Sequence, residues 1–177
     1  MADVQPQAKA LSEIVALMAR VRASGGTRTA RKTSLVDARL ARLGEIVVTI
    51  IKGQGQETRS RPARTGDYVV RNRCPETGNE EYLVSADKFA ERYEATATAA
   101  GPDGWREFRS TGKTVRFLLL QEDDASFSFV APWGEQMVAV PGDAIVQTLG
   151  DEQDVYRVAR ASFDCTYQVI GSKRVHP

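Results

Sequence analysis

Gly66-Asp67-Tyr68-Val69-Val70, followed by Tyr82-Leu83-Val84 and then Phe89 and Tyr93, returns later in the chain. The second version is Gly142-Asp143-Ala144-Ile145-Val146, then Tyr156-Arg157-Val158, Phe163 and Tyr167. The step from Tyr to Phe is seven residues in both copies, and the step from Phe to Tyr is four. Only the distance from Gly to the first Tyr differs, sixteen residues against fourteen. A two-residue change of that kind belongs at the tip of a hairpin, where insertions are tolerated. The sequence therefore reads as an internal duplication.

Each unit has a physical reading. Gly-Asp marks a turn, because Gly accepts positive φ and Asp bonds backbone amides just beyond it. The apolar runs Tyr68-Val69-Val70 and Ala144-Ile145-Val146 read as strands. A polar tip follows, Pro75 to Asn79 in one copy and Gly150 to Glu152 in the other, and Tyr82-Leu83-Val84 or Tyr156-Arg157-Val158 closes a hairpin. Ser85 is placed to cap a short helix, with Phe89 and Tyr93 one turn apart on one face.

These residues resemble a small bacterial and phage domain named for a Pro-Gly-Asp-Tyr-Gly motif. The first copy matches through Gly66-Asp67-Tyr68, Asp87-Lys88-Phe89 and Tyr93-Glu94, the second through Pro141-Gly142-Asp143, Phe163 and Tyr167. Thr65 stands where the family has Pro, Val69 replaces its second Gly, and Ala144 replaces its Tyr. The family has no assigned activity, so the resemblance implies the repeat and no catalytic residue.

Outward from the repeat, Leu11, Ile14, Val15, Met18 and Val21 form a helical stripe over residues 8–23, ending at Ser24-Gly25-Gly26. Residues 25–33 are small, polar and basic, as in a linker. Thr33 or Ser34 as cap, Leu35, Val36, Leu40 and Leu43 as apolar positions and Gly44 as terminator predict a second helix. These helices either pack on the β region or pair with a second chain.

Ile46 to Ile51 then reads as a well-buried strand, Gly53-Gln54-Gly55 as a turn and Glu57 to Ala63 as a returning strand. Val115 to Leu120, Glu122-Asp123-Asp124 and Ser126 to Val130 repeat that order. The expected fold class is α+β: N-terminal helices, then two tandem β-hairpin-rich repeats, each closed by a short helix, packed as one pseudo-symmetric body. The expected boundaries are a helical segment 1–43, first repeat 44–95, connector 96–112, second repeat 113–170 and tail 171–177.

No apolar run approaches the roughly 18 residues that a membrane span needs, and no secretory signal opens the chain. Cys74 and Cys165 are too few for a disulfide framework. A cytoplasmic protein with two inert cysteines is the expectation. The net charge of +1 hides an asymmetry: residues 1–74 hold 14 Lys/Arg against 6 Asp/Glu, and the remainder hold 10 against 17. Such a split favours an acidic or nucleic-acid partner for the basic half, or association between copies.

The chemistry-bearing candidates are few. His176 is the only histidine, which removes histidine-based triads and most zinc sites. No phosphate-binding glycine loop is present, and no cofactor or metal is expected, the acidic turn Glu122-Asp123-Asp124 included. Arg59 and Arg61, with Arg71 and Arg73, alternate on two strands and form one basic patch if those strands pair, with Tyr68 and Tyr82 as stacking surfaces beside it. Asp67 and Asp143 are equivalent carboxylates that either cap their own turns or face one cleft, lined also by Tyr82 and Tyr156. Two functions follow. The preferred one is a non-enzymatic binding module contacting protein or nucleic acid through the arginine face. The other is a small-molecule binder or enzyme using a cleft between the copies.

Overall fold

The computed structural model describes residues 5–53 and 55–170. Gln54 of the expected turn, and the tail 171–177 with His176, lie outside the described residues. The N-terminal part holds strand β1 (Gln7–Ala8), helix α1 (Leu11–Ala23), β2 (Arg28–Lys32) and β3 (Leu35–Leu40). The first Gly-Asp region follows with β4 (Val48–Ile51), β5 (Gly55–Arg59), β6 (Tyr68–Asn72), a 3-10 turn (Pro75–Thr77), β7 (Glu81–Val84), α2 (Ala86–Arg92) and β8 (Tyr93–Ala95). Beyond it lie β9 (Arg106–Ser110), β10 (Thr114–Leu119), β11 (Phe127–Val130), β12 (Gln136–Ala139), β13 (Ala144–Thr148), β14 (Val155–Val158), α3 (Arg160–Thr166) and β15 (Tyr167–Ile170).

Two of the three sheets share one plan. The first-copy sheet runs β7-β6-β3-β9-β8, and the second-copy sheet runs β14-β13-β10-β2-β15. Their registers correspond: Ala38 lies opposite Val70 and Arg106, as Phe117 lies opposite Val146 and Arg28. Val70 pairs with Tyr82, and Val146 with Tyr156. The sheets also exchange strands. β2 runs almost directly into β3 yet belongs to the second-copy sheet, while β9 runs into β10 yet belongs to the first-copy sheet.

The expected α+β class with N-terminal helices ahead of tandem hairpin repeats is therefore corrected. The described chain is mostly β, in three five-stranded sheets, with helices of 13, 7 and 7 residues. The stretch expected as a linker is β2, the second expected helix is β3, and the expected connector contains β9. The counterpart of β10, by its place in the sheet, is β3 and not the Ile46–Ile51 run. The physical reason is long-range pairing. Val36 and Ala38 are fully buried, with half-buried Asp37 between them and half-buried Arg39 after, a two-residue period. Leu40 and Leu43, which completed the helical stripe, are 60% and 79% exposed. Partners on both sides of β3 supply what the local helix signals could not.

The third sheet, β1-β11-β12-β5-β4, joins the copies where Gln136 of β12 meets Arg59 of β5. Thr49 and Ile51 of β4 are buried while Ile50 between them is exposed, so the run presents one face to solvent and is only half-buried, against expectation. Helix α1 lays Ile14 and Met18 on Leu118, Phe127, Phe129 and Ile145. The corresponding first-copy cluster, Val47, Ala63, Val69 and Leu83, is covered by Ala41 and Trp105. Cys74 and Cys165, expected as separate inert thiols, form a disulfide. They are 91 residues apart, and only the docking of one copy on the other brings them together. No described helix is long and apolar enough to cross a membrane.

Candidate functional site: a polar cavity between the copies

The two Gly-Asp turns are built alike but solved differently. Gly66 and Gly142 have φ of 91° and 93°, the left-handed region that a Cβ disfavours. Asp67 Oδ2 accepts from the Arg64 amide at 2.8 Å and from Arg61 Nη1 at 2.8 Å. Asp143 Oδ2 accepts from the Val140 amide at 2.9 Å and from Arg157 Nε at 2.7 Å. Burial pushes the Asp67 carboxyl up, but the Arg61 hydrogen bond and charge and the Arg64 amide hold it below its ordinary value. Both aspartates cap their own turns, and neither lines a shared cleft.

The arginine group is not one patch. Arg61 is committed to Asp67. Arg71 lies 3.8 Å from the centre of the Trp105 ring and 3.9 Å from a Glu81 oxygen. Arg73 reaches Asp37 at 2.8 Å and Glu107 at 2.9 Å, and the two carboxylates raise its pKa. Arg59 is exposed on β5. Tyr68 stacks on Phe89 with centroids 3.8 Å apart and packs against the first-copy core, so it is no open stacking platform.

Tyr82 and Tyr156 do share a site. A cavity of about 150 Å³ lies between the first- and second-copy sheets. The hydroxyls of Tyr82 and Tyr93 are 3.0 Å apart, and those of Tyr156 and Tyr167 are 3.1 Å apart. The recurring Tyr-Phe-Tyr spacing thus becomes a matched pair of hydroxyl contacts, each across 11 residues. Behind them, Phe89 and Phe163 pack on Tyr93 and Tyr167, with centroids 5.2 and 5.0 Å apart.

Lys32, at the end of the exchanged strand β2, points Nζ into this group. It donates to Tyr82 Oη at 2.6 Å, to Tyr93 Oη at 2.9 Å and to Asn72 Oδ1 at 3.0 Å. The ammonium also lies 5.2 and 5.4 Å from the Tyr82 and Tyr93 ring centres. All three of its hydrogen bonds end on neutral oxygens. Asn72 in turn donates Nδ2 to Glu80 at 2.9 Å. Glu80 is buried and also accepts from Thr77 and Ser162, the latter on α3 of the other copy.

The opposite wall is charged and closed. Arg92 donates to both Asp154 oxygens, at 2.9 and 2.7 Å, and its guanidinium lies 5.0 Å from the Tyr156 ring centre and 5.8 Å from that of Trp133. Lys88 and Thr148 also reach Asp154. Burial raises the Asp154 carboxyl, yet Arg92 and its neighbours outweigh this and hold it below its ordinary value. Among the tyrosines, burial raises Tyr82, Tyr156 and Tyr167. Tyr93 goes the other way: burial pushes it up, and the charge and hydrogen bond of Lys32 bring it lower. Glu91, Thr111 and Lys113, the exposed members of the wall, mark the mouth.

Family models, curated proteins and solved structures give no match to this chain. The site therefore rests on its geometry. Tyr82 and Tyr156 are expected from the sequence as cleft residues, and Tyr93 and Tyr167 only as the last tyrosines of the repeated spacing. Lys32, Asn72, Glu80, Arg92, Trp133 and Asp154 carry no such signal in the sequence. Lys32 sits in the stretch read as a linker, so no local signal marks it.

Proposed function

We propose that this protein binds a small organic anion, with a flat apolar body, in the cavity between the two copies. One observation carries the reading: the Lys32 ammonium is set in a cavity wall where every hydrogen-bond partner is neutral. Lys32 is half-buried, and a cation partly withdrawn from water without a carboxylate partner is disfavoured; a ligand anion offsets that cost. The Tyr93 and Tyr167 hydroxyls supply further donors to such an anion. Trp133, Val84 and Val158 supply apolar surface for its body. Arg92 is already neutralised by Asp154, so it serves as wall rather than as the anion's partner.

The contact-surface reading has less behind it, because Arg61, Arg71 and Arg73 each hold carboxylates of this chain. The two readings separate in a thermal-shift comparison of 4-hydroxybenzoate with its neutral amide at millimolar concentration. The acid is expected to raise Tm by a few degrees and the amide to leave it unchanged, since only a ligand that binds the folded state stabilises it. Lys32→Met removes the acid's effect. Equal shifts from acid and amide, or a shift that survives Lys32→Met, speak against the assignment.

A further inference from the structure

At the tip of the first-copy hairpin, two residues beyond Asn72, Cys74 is fully buried ahead of the 3-10 turn, and Cys165 is half-buried on α3 of the other copy, with Cα atoms 6.0 Å apart. Glu76 Oε2 lies 3.6 Å from Cys74 Sγ and 3.5 Å from Cys165 Sγ. While the sulfurs are joined to each other, neither carries a proton, so the carboxylate receives no hydrogen bond from them. Glu76 makes no other hydrogen bond or ion pair among the described residues. An exposed carboxylate, free to turn into water, nevertheless converges on two sulfurs drawn from opposite copies. Among the described residues this is the one group of three metal-ligating side chains that close.

We propose that this is the ligand set of a reduced state, a site for a thiophilic divalent cation such as zinc. A dithiol reductant transfers two electrons and two protons to the Cys74–Cys165 bond and is itself oxidised to a disulfide. The two freed thiols then lose their protons to solvent as the metal binds. Two thiolates and the Glu76 carboxylate give three protein ligands, and water takes the fourth tetrahedral position. The pair of sulfur ligands selects zinc or cadmium over magnesium or calcium. Disulfide and metal are mutually exclusive clasps at one place, each tying the first-copy hairpin tip to α3.

The test uses the full chain, reduced with a phosphine, freed of reductant without oxygen, and titrated with cadmium as a spectroscopic stand-in before zinc is competed against a chromophoric chelator. The expected result is one equivalent of cadmium with its ultraviolet thiolate charge-transfer band, and no band from the oxidised chain. Cys165→Ser halves the band. Glu76→Gln, at an exposed position, removes one of the three protein ligands and weakens zinc about tenfold or more, at least the cost of losing an outer-shell partner. The proposal fails if the reduced chain shows no stoichiometric band, if the oxidised chain binds equally, or if Glu76→Gln holds zinc as tightly as the unaltered chain.

Discussion

Asp67 and Asp143 show how two copies satisfy one requirement with different residues. Arg61 stands six residues before Asp67, and Met137 occupies that place before Asp143. Leu83 follows Tyr82, and Arg157 follows Tyr156. One arginine and one apolar residue have exchanged positions, and each aspartate keeps one guanidinium. The Arg157–Asp143 pair is almost fully buried, with side chains 4% and 2% exposed. Arg157→Met is expected to cost about 3–5 kcal/mol, the cost of a buried charge left unpaired, and Arg61→Met less, since Arg61 keeps more solvent. Combining Met137→Arg with Arg157→Leu transplants the first-copy solution and is expected to recover much of the loss in urea unfolding. A double variant no better than Arg157→Met contradicts the equivalence.

Glu45 gives a second residue-scale prediction. Arg39 donates to both of its oxygens, at 3.0 and 2.6 Å, and holds its pKa at about 2. A depressed folded-state carboxylate stabilises fully above its ordinary pKa, and that contribution is lost as pH falls toward 2. Because the pair is about one-fifth exposed, screening reduces the effect to on the order of 1–2 kcal/mol. Glu45→Gln is therefore expected to lower stability by that amount at pH 7. The difference from the unaltered chain shrinks below about pH 4.5 and vanishes near pH 2. A constant difference across that range rules the mechanism out.

Among the elements, α1 and the first-copy arginines explain one another. On the outer faces of the two sheets, Arg39 stands where Leu118 does, and Glu81 where Val155 does. Leu118 and Val155 are covered by the α1 cluster, whereas at the corresponding first-copy places Arg39 and Glu81 stand beside Val69 and Leu83, with Arg39 over the Trp105 ring. Ile14 and Met18 on α1 are completely buried, so Met18→Ala is expected to cost about 2–4 kcal/mol and to expose dye-binding apolar surface on β11. The α1 stripe was legible because an amphipathic helix declares its buried face in its own sequence. β3 was not. Leu35, Val36, Leu40 and Leu43 fit a helix, and the decision lay with β6 and β9, which sit 32 and 70 residues beyond. The arginine alternation was legible too, but the carboxylates facing it came from other strands.

At the scale of the molecule, the repeat spacing was readable and the strand exchange was not, since β2 and β9 carry no apolar pattern beyond Ala30 and Phe108. That exchange brings Lys32 to the tyrosines, which is why most of the site escaped a reading made copy by copy. The Cys74–Cys165 disulfide closes a loop of 91 residues. Restricting the unfolded chain over such a length is worth up to about 4–5 kcal/mol, so reduction in chelator is expected to lower the denaturant midpoint markedly. An unchanged midpoint contradicts a stabilising clasp between copies.

The binding assignment meets its most direct test in backbone and side-chain NMR of the isotope-labelled chain during titration with 4-hydroxybenzoate. Saturable shifts confined to Lys32, Asn72, Tyr82, Tyr93, Tyr156 and Tyr167 are predicted. Shifts at Arg59, Arg71 and Arg73 with those six unmoved contradict it.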